Sequence, residues 1–203
     1  MIFAIIALVI AYLLGSINFA VIISSIFLKK DVRKLGSGNA GTTNVMRSAG
    51  FLPGALTFIF DALKGFAASF VGRELFEYAA TKTDACWVEG IYGAFACGLL
   101  CMLGHIFPIF FGFKGGKGVA TSVGIFAVCS PMAIISGLLV FAIVLILSKM
   151  VSLASLIATV VVVVLSIVLY NGASSILPIV ILSIVMGSLV FIKHKDIIKR
   201  LVN

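Results

Sequence analysis

VATSVGIFAVCSPMAIISGLLVFAIVLIL, residues Val119 to Leu147, is an apolar run too long for one membrane crossing, since ~20 helical residues span a hydrocarbon core ~30 Å thick. Cys129-Ser130-Pro131-Met132 divides it. A proline can be absorbed as a kink within a membrane helix, but Ser-Pro between two apolar halves also makes an ordinary turn. One reading gives a single kinked crossing and the other gives two short ones. The choice decides on which side of the bilayer everything C-terminal to it lies.

The rest of the chain is of the same kind. It is 62% hydrophobic and 11% charged over 203 residues, with a strongly positive mean hydropathy, far outside the range of soluble domains. A chain of this length supplies about six to eight spans and leaves no room for a separate soluble domain, so residues 1–203 read as a single all-α, polytopic membrane domain. Met1 to Leu14 lacks the basic n-region of a cleavable signal peptide, and Lys29 and Lys30 follow the apolar segment rather than precede it; it reads as a retained first span. Cys86, Cys97, Cys101 and Cys129 lie in or beside apolar runs without C-x-x-C spacing and read as small buried hydrophobes.

Charge settles the number of crossings. The first segment, 2–28, is interrupted by Gly15, Ser16 and Asn18, of which Asn18 is expected to bond a neighbouring helix. The loop 29–50 carries Lys29, Lys30, Arg33, Lys34 and Arg47 against Asp31 alone, which marks it as cytoplasmic. A second span is expected over about Leu52–Val71. Its Asp61 and Lys64 sit one turn apart on one face, either as a self-neutralising ion pair or as support for an active site. Arg73 to Asp84 then reads as an external loop. A third span, about Cys86–Phe107, has Trp87 at its outer interface. If Val119–Leu147 crosses twice, Lys149 falls inside. Spans near 151–169 and 174–192, turning at Asn171-Gly172, then bring Lys193, Lys195, Lys199 and Arg200 inside as well. Cytoplasmic segments so hold all the basic residues but Arg73, Lys82 and the intramembrane Lys64. A single crossing would put the basic C-terminus outside, against the positive-inside rule. The expectation is seven transmembrane helices, N-terminus outside and C-terminus cytoplasmic, with a short fourth and fifth helix.

On that topology the polar inserts share one side. Gly36-Ser37-Gly38-Asn39-Ala40-Gly41-Thr42-Thr43-Asn44-Val45-Met46-Arg47 has three glycines that let backbone N–H groups curl round an oxyanion. Phe113-Lys114-Gly115-Gly116-Lys117-Gly118-Val119-Ala120-Thr121 and the tail from His194 join it. A site of Arg47, Lys114, Lys117, Lys193 and Lys195 with almost no acid nearby suits phosphates.

Other chemistries fit poorly. Gly36-x-Gly38-x-x-Gly41 follows an apolar span rather than a βα turn, which argues against dinucleotide binding. Gly118 stands where a P-loop needs Ser or Thr for magnesium. With two histidines and scattered acids, metal catalysis and the clustered aspartates of a CDP-alcohol transferase are not expected. Neither histidine has an aspartate five residues on, as the His-x4-Asp acyltransferases require. The net charge of +8 comes without a basic helix, aromatic-interleaved patch or zinc spacing, so no nucleic-acid partner is expected.

The inserts carry a resemblance. Gly36-Ser37-Gly38-Asn39-x-Gly41-x-Thr43-Asn44-x-x-Arg47, then Gly104-His105-x-x-Pro108-x-Phe110-x-Gly112-Phe113-Lys114-Gly115-Gly116-Lys117-Gly118-Val119-Ala120-Thr121, then Lys193-His194-x5-Arg200-Leu201, resemble the three signatures of the PlsY family of bacterial acyl-phosphate:glycerol-3-phosphate acyltransferases. Asp61-x-x-Lys64-Gly65 and Val151-Ser152-Leu153-Ala154-Ser155 also fit. The resemblance implies transfer of a fatty acyl group from acyl phosphate to the sn-1 hydroxyl of glycerol 3-phosphate. The products would be lysophosphatidic acid and phosphate, made without cofactor or metal by a seven-span enzyme of the bacterial inner membrane, its site facing the cytoplasm. It further implies Ser37, Arg47, Lys117 and His194 as catalytic residues. Gly36, Gly38, Asn39, Thr43, Asn44, His105, Lys114, Gly115, Gly116, Gly118, Thr121 and Ser152 would bind substrate phosphates, with the amides of Gly115, Gly116 and Gly118 cradling one of them.

Which phosphate takes which loop stays open, as does the base: His105, His194 or the donor phosphate. At the position where the family has Asn the chain has Ile197, and Lys193 stands where arginine is frequent. A transporter of a phosphorylated metabolite is the alternative, since intramembrane Asp61 and Lys64 suit a carrier. A carrier would line a path to both faces, whereas here the polar inserts gather on one.

Overall fold

The computed structural model describes residues 2–82, 89–172, 175–195 and 198–199, and all regular structure among them is helical. Asp84, Cys86, Trp87, Asp196, Ile197, Arg200 and Leu201 lie outside the described residues. The first apolar segment is two helices, α1 (Ile2–Ser16) and α2 (Phe19–Leu28). Asn18 does not reach across to a neighbour as expected. Its Oδ1 accepts the Val21 N–H at 3.2 Å and caps α2, because the break leaves the first amides of α2 without partners. The polar stretch is not all loop either: α3 (Thr42–Ala49) occupies its second half.

Next comes α4 (Phe51–Ala80), whose 30 residues run about 45 Å, longer than the ~30 Å hydrocarbon core. Arg73–Ala80, expected as external loop, is its last two turns, because no glycine or proline interrupts that stretch and Glu74, Leu75 and Ala79 are good helix formers. The remaining helices are α5 (Gly90–Ile106), α6 (Val119–Cys129), α7 (Pro131–Ser148), α8 (Val151–Val168) and α9 (Leu177–Lys193). The long run breaks at Ser130, with Pro131 opening α7, the position where a missing N–H costs nothing. Of the two helices cut from this run only α6 is short, with 11 residues; α7 has 18 and is not shortened. Phe3–Leu28, α4, Gly90–Phe111, α7 and α8 are each long and apolar enough to cross a bilayer, whereas α6 and α9 are shorter apolar helices.

Helix α4 lies at the centre of the N-terminal group, against α1, α2, α3, α5 and α6. Close approach here depends on glycine. A Cβ at Gly15 or Gly104 would strike backbone across the α1–α5 contact, and one at Gly65 or Gly124 would do so between α4 and α6. Between lipid-soluble helices such contact is the main source of attraction. Phe95, Met102, Ile125, Phe126, Ile134, Val162 and Met186 form the core that joins this group to α7, α8 and α9.

The connections sort to two ends. Ser130, Pro131 and Met132 line one cavity of about 510 Å³ together with Arg73, Glu77, Glu89 and Tyr170. The 130–131 break therefore lies with the end of α4, the start of α5 and the end of α8. At the other end, residues from 37–47, 117–120, 151–155 and His194 surround a second cavity.

Candidate active site

The polar stretch folds round one buried side chain. Asn44 Oδ1 accepts the Ser37 N–H at 3.0 Å, and its Nδ2 lies 3.0, 2.9 and 3.0 Å from the carbonyls of Val32, Leu35 and Asn39. Gly36 turns with φ +54°, and a Cβ there would strike Asn44 Oδ1. Asn44 touches the cavity, but its amide is spent on holding the loop, so it positions Ser37 rather than binding phosphate as expected.

Ser37, Asn39, Thr43, Arg47, His105, Lys117, Gly118, Ser152 and His194, all expected at the site, line this cavity of about 210 Å³. Three helices begin on it: α3 at Thr42 and Thr43, α6 at Val119 and Ala120, α8 at Val151 and Ser152. None of the three N-termini carries a side-chain cap. Each brings unpaired amides and the positive end of a helix dipole, added to the charges of Arg47 and Lys117.

Other expected residues stand elsewhere. The Gly115 N–H donates to Ile106 O at 3.2 Å and the Gly116 N–H to His105 O at 3.1 Å. Those amides finish the end of α5 and are not free to cradle phosphate. Gly116 instead makes room for His105, whose Nε2 a Cβ at 116 would strike. Lys114 is exposed and away from the cavity, and its carbonyl accepts from Arg33 Nη1 at 3.3 Å. Thr121 is fully buried and faces Gly65 on α4. Gly36 and Gly38 shape the turn with positive φ without lining the cavity. Lys193 is also turned aside, its Nζ 4.9 Å from the centre of the Phe107 ring.

Arg33 joins the two inserts. Its Nη1 also donates to Phe111 O at 2.7 Å, while Nε and Nη2 pair with the carboxylate of Asp31, Nη2 at 2.7 Å. That guanidinium holds the Asp31 carboxyl below its usual range.

Asp61 and Lys64 meet both readings offered for them. Lys64 Nζ lies 2.8 Å from Asp61 Oδ1 and donates to Gly15 O and Ile17 O at 2.9 and 2.7 Å. These carbonyls belong to the C-terminal end of α1, where a cation is favoured. The other face of the pair is the site: Asp61 lines the cavity, and its Oδ1 is 3.4 Å from His105 Nδ1.

His194 is buried, and its Nδ1 donates to Val190 O at 2.8 Å. Burial pulls its pKa down, and the charge of Lys117 adds to this against the counter-pull of the Val190 carbonyl. The ring is therefore neutral near pH 7, which leaves Nε2 as an acceptor. Among the described residues no three His, Cys, Asp or Glu side chains gather as a metal site would need.

The family model described as glycerol-3-phosphate acyltransferase matches residues 5–203. The chain belongs to that family. The acyltransferase is 37% identical to glycerol-3-phosphate acyltransferase 2 of Bacillus anthracis, the match covering 98% of this chain and 95% of that one. It is 41% identical to glycerol-3-phosphate acyltransferase of Streptococcus sanguinis strain SK36, over 97% and 88%. It also superposes on the crystal structure of PlsY, an integral membrane glycerol 3-phosphate acyltransferase, in its glycerol 3-phosphate form. There the TM-score is 0.83 and the identity 35%, over 98% of this chain and 92% of that one. The lysophosphatidic acid form of PlsY gives 0.80 at the same identity.

Several residues that line the acyltransferase's cavity were not among the expected binders: Asp61, Phe58, Phe141, Val119, Ala120 and Ser155. Ser155 lies in a motif that the resemblance already includes. So do Asp61, Val119 and Ala120, whereas Phe58 and Phe141 sit within spans, where nothing in the sequence marks them off from lipid-facing neighbours.

Proposed function

We propose that the chain transfers a fatty acyl group from acyl phosphate to the sn-1 hydroxyl of glycerol 3-phosphate, releasing phosphate and lysophosphatidic acid. It does so as a single seven-span domain of the bacterial inner membrane, N-terminus outside, with its site open to the cytoplasm. The observation that carries this reading is the convergence of Arg47, Lys117 and three uncapped helix N-termini on one cavity. Among the described residues the one carboxylate lining that cavity, Asp61, is already paired with Lys64.

An acyl phosphate is an activated donor, so the protein has to supply position and charge stabilisation rather than a nucleophile. The glycerol 3-phosphate phosphate sits against Ser37, the start of α3 and Arg47. The donor phosphate sits against Lys117 and the start of α6, its carbonyl carbon toward the glycerol hydroxyl. As that oxygen attacks, the C–O bond to phosphate breaks, and negative charge builds on the leaving group beside Lys117. The hydroxyl proton passes to the leaving phosphate or to His194 Nε2, the ring nitrogen that Val190 leaves free. No step needs a cofactor or metal. The acyl tail lies toward α7 and α8, where Phe141 and Ser155 carry the cavity into the apolar interior.

Purified protein in detergent, given acyl phosphate and glycerol 3-phosphate, is expected to release phosphate only when both are present. Arg47→Ala and Lys117→Ala are expected to abolish release while the protein remains folded by thermal melt. No release with both substrates, together with saturable uptake of glycerol 3-phosphate into liposomes, would replace the enzyme with a carrier.

A further inference from the structure

The inference concerns how the acyl chain is measured, and it rests on the reaction proposed above. Below the polar cavity runs an apolar slot between α6, α7, α8 and α9. The two share Val119, Phe141 and Ser155, so they are continuous. The slot is small. Its free volume is about 60 Å³, against a water molecule's ~30 Å³ share of the liquid. The rise along α6 from Val119 to Phe126 is about 10 Å, whereas one leaflet of a ~30 Å core is ~15 Å deep. Its floor is closed by Phe126, Ile134, Val162 and Met186, all buried in the core. A long acyl chain entering from the cavity has no room to continue straight down.

A second apolar hollow of about 350 Å³ lies between α8 and α9, bordered by Val160, Val164, Ile184 and Ile192, each about half exposed or more on the membrane-facing surface. The slot and this furrow share Thr159, Val163 and Gly187. Thr159 and Val163 are one turn apart on one face of α8, and Gly187 faces them from α9. A Cβ at Gly187 would lie 2.9 Å from Val163 Cγ2, so the Val163 side chain rests against the α9 backbone and closes the seam between the two hollows, and a chain crosses there only as that side chain turns aside. We infer that Thr159, Val163 and Gly187 form a threshold over which the distal acyl chain passes from slot to furrow. The methyl end then lies among membrane lipids, and Val163 is a specificity-determining residue for chain length. The slot reads only the carbons next to the carbonyl. The enzyme accordingly accepts long chains without a sharp upper limit.

The test compares wild type, Val163→Phe and Val163→Ala, each checked for folding by thermal melt. Phosphate release is measured with octanoyl, lauroyl and palmitoyl phosphate at saturating glycerol 3-phosphate. Val163→Phe is expected to lower kcat/KM for palmitoyl relative to octanoyl phosphate by about tenfold, the cost of crowding a ring into the passage that the longer chain must use. Val163→Ala is expected to raise that ratio, and the KM for glycerol 3-phosphate is expected to hold in both. A ratio unchanged in both variants of an active enzyme overturns the threshold. So does a wild type that turns over octanoyl but not palmitoyl phosphate, the mark of a closed slot. Failure of the reaction itself shows differently, as no release from any donor. In that event a non-hydrolysable palmitoyl phosphonate with a photoreactive group at its methyl end still decides. Labelling of Val160 or Ile184 supports the threshold, and labelling of Phe126 or Ile134, or no labelling, overturns it.

Discussion

His194 shows what one side chain contributes. Its free form titrates near pH ~6.5, while burial and Lys117 lower that value in the folded protein. As pH falls through about 6.5 the unfolded chain takes up a proton and the folded one does not, so the equilibrium moves toward unfolding until the lowered folded pKa is reached. Acidification through that window is expected to lower the melting temperature of the wild type in detergent. His194→Gln is expected to flatten that dependence. If Nε2 accepts the glycerol proton, turnover falls only at the lower end of that window, as pH drops through the lowered folded pKa, whereas near-normal activity of His194→Gln with an unchanged pH–rate profile would assign the proton to the donor phosphate. Ser37, Arg47, Lys117, Ser152 and His194 line the cavity; their place there was legible because the glycine-rich and basic inserts gather on one side and because the motifs that hold them resemble those of the family. Asn44, Gly115 and Gly116 were misread. A donor that faces a loop carbonyl and one that faces a ligand are the same residue in a sequence, and only the fold shows that Asn44 is used up by Val32, Leu35 and Asn39.

Among the elements, the start of α6 and the start of α3 must be held at a fixed separation if Lys117 and Arg47 are to act on two substrates at once. Arg33 makes that link through the carbonyls of Phe111 and Lys114, oriented by Asp31. Misplacement by about 1 Å at such a site can cost on the order of a hundredfold in rate. Arg33→Ala is therefore expected to lower kcat by about tenfold to a hundredfold with little change in melting temperature. Arg33→Lys is expected not to rescue it, since an ammonium cannot reproduce the fork that bridges a carboxylate and two carbonyls. Full activity of Arg33→Ala would leave the clamp without a catalytic role. Breaks marked by proline or by a Gly-Ser-Asn cluster were legible, as at Pro131 and at Ile17-Asn18. The extent of α4 beyond Val71 was not, because Glu74, Glu77 and Arg73 suggest loop by charge but favour helix by propensity. The three helix starts at one cavity were also hidden, since sequence order says nothing about which N-termini converge.

At the scale of the molecule, the positive-inside count and the placement of the turns point the same way. The 130–132 break shares its cavity with the ends of α4 and α8, while the polar inserts surround the other. Helix α6 still has only 11 residues, about 17 Å of rise, roughly half the hydrocarbon thickness. It can serve as a crossing because its sides are covered: it packs on α4 through Gly65 and Gly124, and Ile125 and Phe126 lie in the core. Backbone groups beyond its ends are thus buried in protein or lie beside the two cavities rather than in lipid. The proposed seven-span arrangement makes a sharp demand on labelling. In a cysteine-free background, Met132→Cys and Asn171→Cys are expected to react with a membrane-impermeant maleimide in spheroplasts. Lys34→Cys and Lys149→Cys are expected to react only after permeabilisation. A single kinked crossing reverses three of these, hiding residue 132 within the bilayer, exposing residue 149 outside and placing residue 171 inside. Labelling of Lys149→Cys in sealed spheroplasts would therefore overturn the topology, and with it the assignment of α8's N-terminus and Ser152 to a cytoplasmic site.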